Sequence, residues 1–317
     1  MGIANLVLNL QLSKNQGIMF LKALKGKNQF WRYFVTLLVV IIASQIIGAI
    51  PLMVAIFRDI GFESNISDMN EMLAATSLSQ NTLLMLMMLP FAIGLLSLIW
   101  MVKVLHERSF SDTTTGASHF RWERFFKGFG LWFLLSALIL TVGYLMMPGG
   151  LVWNFQPKQF AILVVISLIF IPLQTGFEEV LFRGYLLQGF QLLTKNKWVA
   201  VVITGVLFGL LHIANPEIAE YGFGLVMPQY IFFGVLFGFM TVMDNGLELA
   251  WGAHAANNIF LSLFVTHEAS ALQTPAMFRA TAIDPVMDLV GLIIAGLIFM
   301  GICWVWFKWN FNEPERV

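Results

Sequence analysis

Few side chains in this sequence can do chemistry inside an apolar environment, and six of them fall in three short stretches: Glu178-Glu179 with Arg183, then His212, then His254 with Asn258. Adjacent helical residues point about 100° apart, so Glu178 and Glu179 are not expected to aim at one reacting atom. Arg183 follows Glu179 by four residues, the spacing at which opposite charges pair along a helix. Glu179 with Arg183 therefore reads as a structural ion pair, and Glu178 as the carboxylate left to work. His254 and Asn258 share one helix face by the same spacing. A carboxylate, two imidazoles and a carboxamide suffice to activate a water and to stabilise an oxyanion, which is hydrolytic chemistry.

What must position them is a membrane bundle. Of 317 residues, 58% are hydrophobic and 11% charged, against about 25% charged in soluble domains. Ionisable groups within such a chain are costly, which is why so few positions stand out. At about 20 apolar residues per crossing, the apolar runs predict eight spans: Phe34–Phe57, Thr82–Met101, Gly128–Met147, Phe160–Phe177, Trp198–Ala214, Gln229–Met243, Leu249–Val265 and Val286–Trp306. The expected fold is all-α and polytopic, with a basic interfacial segment over 1–33 and N-terminal transmembrane helices over 34–147. If Phe160–Leu193 runs as one bent helix and Trp198 starts the next, Glu179 and His212 stand about 25 Å before and after the turn between them. A carboxylate and an imidazole then come level.

Charge sets orientation. Lys14, Lys22, Lys25, Lys27 and Arg32 crowd a first segment without acids, and the Lys103–Lys127 connection carries as many basic residues. Lys195 and Lys197 mark the next turn on that side, while the other face holds only Arg58, Lys158 and Arg279. Both termini are therefore expected to be cytoplasmic. Nine of the ten tryptophans, Trp132 among them, fall toward that face as interfacial anchors, and Trp153 falls on the other. The 18 basic and 18 acidic residues cancel, which argues against nucleic acid as a partner. The single cysteine, Cys303, excludes a disulfide framework and reads as a buried small hydrophobe. Gly205-x-x-x-Gly209 and Gly234-x-x-x-Gly238 offer small-residue faces for close helix packing. His106, His119 and His267 lie in connections and are expected to be solvated.

Glu178-Glu179-Val-Leu-Phe-Arg183, Phe208-Gly-Leu-Leu-His212 and His254-Ala-Ala-Asn-Asn258 together resemble the EExxxR, FxxxH and HxxxN motifs of the CPBP family. These are the CAAX prenyl endopeptidases and bacteriocin-processing intramembrane proteases, also called Abi proteins. The resemblance covers roughly Leu173–Leu261, in the family's order. It implies a catalytic bundle over 160–306 that encloses a polar cavity open to the cytoplasm. By the same resemblance Glu178 and His212 would hold and deprotonate a water, His254 and Asn258 would stabilise the oxyanion, and Glu179 with Arg183 would fix the helix. Glu178, His212 and His254 could also ligate zinc, although the HExxH pattern is absent; no cofactor is required by the residues.

The implied activity is an intramembrane endopeptidase acting on a peptide or membrane-protein substrate in a cell membrane. The short, basic connections look bacterial, which points to peptide maturation or bacteriocin self-immunity instead of prenylated tails. Two other readings stay open on the residues alone. One is a non-catalytic scaffold that binds a membrane partner such as a sensor kinase or a cell-wall enzyme. The other is a proton-coupled transporter, since intramembrane Glu and His also build proton relays.

Overall fold

A computed structural model describes residues 25–61 and 69–309. Most of the expected interfacial segment, residues 1–24, lies outside the described residues. In chain order the helices are α1 (Phe30–Ile60), α2 (Met69–Ala75), α3 (Gln80–Leu105), α4 (Phe110–Thr114), α5 (Trp122–Met146), α6 (Pro157–Thr194), α7 (Lys197–Leu210), α8 (Pro216–Tyr221), α9 (Phe223–Asp244), α10 (Glu248–Phe264) and α11 (Pro285–Phe307). Six of them, α1, α3, α5, α6, α9 and α11, are long and apolar enough to cross a membrane. The other two expected spans are helical but shorter, 14 residues in α7 and 17 in α10. The chain is a multi-pass, all-α membrane protein.

One end of the bundle is basic and the other carries a small sheet. There β1 (Leu151–Trp153) pairs antiparallel with β3 (Phe278–Ala280), and β2 (Val265–Thr266) pairs parallel with β3. The sheet ties the connection before α6 to the connection after α10, so the two helices that carry Glu178 and His254 are registered at their far ends. They run antiparallel, with Ser167 and Ser262 hydrogen-bonded across them at 3.0 Å.

At the basic end, Arg121 donates to both oxygens of Glu248, at 3.0 and 2.6 Å, and Asp244 pairs with Arg121 and Arg124 at 3.2 and 3.1 Å. Such bidentate pairs fix geometry as well as charge. They lock the first turn of α10 to the start of α5 and the end of α9. Close contact of α10 with α5 needs the absent side chain of Gly252, where a Cβ would stand 2.0 Å from the Phe125 carbonyl oxygen. The expected small-residue faces of α7 and α9 likewise meet, since a Cβ on Gly234 would stand 2.3 Å from the Gly205 carbonyl oxygen.

Three expectations are corrected. Trp309 is buried, with its Nε1 donating to Asp244 Oδ1 at 3.1 Å, and is no interfacial anchor. Trp132 is no interfacial anchor: it is buried among Leu236, Phe237, Ala253, Phe299 and Cys303, and its Nε1 donates to Asn257 Oδ1 at 3.2 Å. His106 is not solvated either. It caps α3, fully buried, with Nδ1 2.8 Å from the Lys27 carbonyl and Nε2 2.8 Å from the Tyr185 hydroxyl. Burial pushes its pKa down to about 4. Connections are not uniformly wet in this bundle, because the segment from Lys25 folds back over the end of α3. His267 is half-buried, and His119 is exposed as expected.

Candidate active site

The long helix α6 places the first cluster. Pro172 lies inside it and cannot donate to the preceding turn; the Pro172 carbonyl instead accepts from Trp251 Nε1 at 3.1 Å. From Val180 to Leu186 the helix loosens to π-helical winding, a local irregularity often found at functional sites. Glu178 and Glu179 sit just before this loosened stretch and Arg183 within it.

Arg183 Nη1 donates to Glu179 Oε1 at 2.9 Å, so the pair suggested by spacing is formed. The guanidinium also donates to the Gly234 carbonyl on α9 at 3.0 Å and lies 4.5 Å over the Phe208 ring of α7. One arginine thereby joins three helices. The same Glu179 oxygen contacts His254 Nδ1 at 2.8 Å, while His254 Nε2 lies 3.4 Å from Glu178 Oε2. The two glutamates do converge on one side chain after all. Their angular separation is accommodated because the two imidazole nitrogens point in different directions, so His254 bridges the two carboxylates.

An ionised Glu179 can only accept, so Nδ1 of His254 carries the proton and Nε2 faces Glu178. Exposure rises from 0% at Glu179 and 1% at Arg183 to 5% at His254 and 9% at Glu178, which makes Glu178 the carboxylate with access. Its Oε1 accepts from Gln174 Nε2 at 2.6 Å; its Oε2 is buried and accepts no hydrogen bond. Asn258 Nδ2 donates to Gln174 Oε1 at 3.0 Å and also faces His254 Nε2 at 3.5 Å, so its second N–H points at the imidazole nitrogen beside Glu178.

His212 stands beyond the end of α7. Its Nδ1 contacts the Phe208 carbonyl at 2.8 Å and its ring stacks on Tyr230 at 4.3 Å. It makes no hydrogen bond to Glu178 or His254, but Phe208 touches both imidazoles, with ring centroids 4.8 Å from His212 and 5.9 Å from His254. The structure thus gathers Glu178, Glu179, Arg183, His254 and Asn258 into one network, with His212 beside it across a shared aromatic ring.

Residues 156–260 match the family model of the Type II CAAX prenyl endopeptidase, Rce1-like. Over 305 residues the chain is 33% identical to the uncharacterized protein YyaK of Bacillus subtilis (strain 168), covering 94% of this chain and 98% of that one. The chain belongs to the Rce1-like CAAX protease family. No solved structure matches it. The Rce1-like region runs from the start of α6 into α10 and holds all six candidate residues. Helices α1 to α5 lie outside it, but α5 supports the site: Trp132 Nε1 donates to Asn257, the neighbour of Asn258.

For zinc, the Rce1-like site offers Glu178 and His254 side by side. Among the described residues, however, no three His, Cys, Asp or Glu side chains converge closely enough to hold a metal ion. The third donor of the expected set, His212, is turned to Tyr230 and Phe208. The set does not fit a three-ligand centre in this arrangement.

Gln174, Asn257 and Tyr230 are site residues that the sequence motifs do not mark. Gln174 could have been found, as a polar residue one turn before Glu178 within an apolar span. Tyr230 belongs to a helix without any motif residue, and only the fold brings it to His212.

Proposed function

We propose that this protein is an intramembrane endopeptidase whose nucleophile is a water activated at Glu178. The observation that carries the reading is the bridge of His254 between Glu179 and Glu178, buried in the helix bundle, with Oε2 of each glutamate left without a hydrogen bond and that of Glu178 lying beside His254 Nε2. Glu178 Oε2, with His212 Nε2, takes a proton from water as the oxygen attacks a peptide carbonyl. That proton passes from Glu178 Oε2 to His254 Nε2, 3.4 Å away, and the tetrahedral oxyanion is met by the resulting Nε2–H and by the Asn258 N–H that otherwise faces Nε2 at 3.5 Å. The C–N bond then breaks, and the proton held at the site passes to the leaving amine, giving a new carboxylate and a new amino terminus. Preorganised donors in a site that excludes water are worth more than the same groups in water. Glu179 and Arg183 hold the helix and the imidazole and take no proton in this scheme.

The substrate is a membrane-associated peptide or membrane-protein segment, and the biological role is maturation of a small peptide or self-immunity to a bacteriocin. The basic end faces the cytoplasm of a bacterial cell, following the bias of Lys and Arg in the connections. No metal is required. The test compares membrane peptidomes of cells carrying the wild-type chain, Glu178→Gln and His212→Ala. Peptides released by wild type and missing from both variants support the reading, and identical profiles remove it.

A further inference from the structure

His212 stands on a turn, where a side chain needs holding if its free nitrogen is to meet a water repeatedly in one place. The Asn215 backbone N–H donates to the His212 carbonyl at 3.0 Å and closes that turn. The Asn215 side chain donates through Nδ2 to the Tyr230 hydroxyl oxygen at 2.9 Å. The Tyr230 ring in turn lies on the His212 ring, 4.3 Å between centroids and 18° between planes. The circuit closes on itself, from imidazole to turn to Asn215 to Tyr230 and back to the imidazole. The Phe208 carbonyl takes the Nδ1 proton, so Nε2 keeps its lone pair.

We infer that Tyr230 is the positioning residue for His212, with Asn215 fixing the Tyr230 ring through its hydroxyl. The inference rests on the proteolytic reading for its consequence, but its geometry is testable apart from it. A residue that merely packs α8 against α9 would not sit parallel to the imidazole and be tied back to the turn that carries it. Tyr230 also completes what the FxxxH stretch begins, since Phe208 fixes the nitrogen and Tyr230 fixes the plane of the ring.

Two measurements on the full chain test this. In cells, the yield of the peptides that Glu178→Gln fails to release should fall about tenfold or more in Tyr230→Leu, because a misplaced group costs rate steeply. It should fall about threefold in Tyr230→Phe and in Asn215→Ala, and no further in the double variant, since both changes break one hydrogen bond. In detergent, the His212 ring protons, assigned by His212→Gln, should show an upfield ring-current shift that Tyr230→Leu abolishes while the other histidines keep theirs. If no peptide distinguishes wild type from Glu178→Gln, the proteolytic reading fails while the ring-current arm still decides the clamp. Full peptide yield in Tyr230→Leu, additive losses in the double variant, or unmoved His212 signals would overturn the inference. Should Tyr230→Leu fail to fold, the Tyr230→Phe and Asn215→Ala pair decides: equal, non-additive losses support the clamp and unchanged yields overturn it.

Discussion

Glu178 Oε2 lies 3.4 Å from His254 Nε2 and accepts no hydrogen bond, although it is buried. A buried carboxylate oxygen left open is costly unless something else uses it. Replacing Glu178 by Gln keeps the shape and the bond from Gln174 but removes the base. Glu178→Gln should lower the yield of released peptides by about 10²- to 10⁴-fold, the span usual for a lost general base. Melting in detergent should move by no more than about 3 °C, the size of a change near 1 kcal/mol in a chain this large. Unchanged peptide yield from a folded variant would instead favour a binding scaffold.

Arg183 has the opposite profile, structural before chemical. Arg183→Ala leaves Glu179 buried with its charge facing only His254, and breaking a buried pair on one side costs about 3–5 kcal/mol. The expected outcome is loss of folded protein on detergent extraction, read by size-exclusion chromatography and melting. Lysine should not rescue it, because one ammonium cannot replace the fork that serves Glu179 and the Gly234 carbonyl while lying flat over Phe208. Glu179→Gln combined with Arg183→Met, which removes both charges, should recover part of the folded yield.

The helical spans and the Glu179–Arg183 contact were legible in the sequence because both follow from local periodicity. Helix geometry within α6 alone separates Glu178 from Glu179, and it carries no information about His254, which meets both from another helix. A side chain from an antiparallel helix can reach two directions at once. Gln174 and Tyr230 were missed for a related reason: each acts through a partner distant in the chain, Asn258 and His212, which spacing cannot show. His106 was misjudged because hydropathy reads the end of α3 as a wet connection, whereas the segment from Lys25 covers it.

His106 also gives stability a pH dependence. Its pKa is held at about 4 against 6.5 for the free side chain, mainly by burial, with the charges of Arg108 and Arg32 acting in the same direction. Between those values the unfolded chain takes up a proton that the folded chain refuses, so stability is complete above pH 6.5 and is lost as pH falls toward 4. Melting of the wild-type protein should decline across that window, and His106→Gln, which does not titrate, should flatten the decline. Parallel curves for the two proteins would show that His106 is not the group responsible.

Gln174 joins Glu178 to Asn258, donating to the carboxylate and accepting from the carboxamide N–H. Gln174→Leu should cost stability on the order of 1–3 kcal/mol for the polar atoms it strands. It should also cut peptide release about tenfold by freeing Asn258 to turn. Gln174→Glu is the sharper test, because it sets a second carboxyl against Glu178 at the 2.6 Å contact. Its peptide yield should recover at acidic pH, where that pair can share a proton; recovery at alkaline pH would contradict the arrangement.

Removal of metal provides the last test, and the geometry fixes its sign. A catalytic zinc needs three protein ligands about 2.0–2.2 Å from one point, with a fourth position open. Glu178 and His254 could supply two, but His212 would have to leave the Tyr230 ring on which it stacks at 4.3 Å. Protein purified in detergent and treated with a strong chelator should therefore still cleave synthetic versions of the peptides missing from Glu178→Gln cells, with no zinc found by elemental analysis. Loss of cleavage on chelation, restored by zinc alone and accompanied by loss of the His212 ring-current shift, would instead mean that His212 swings from Tyr230 to the metal.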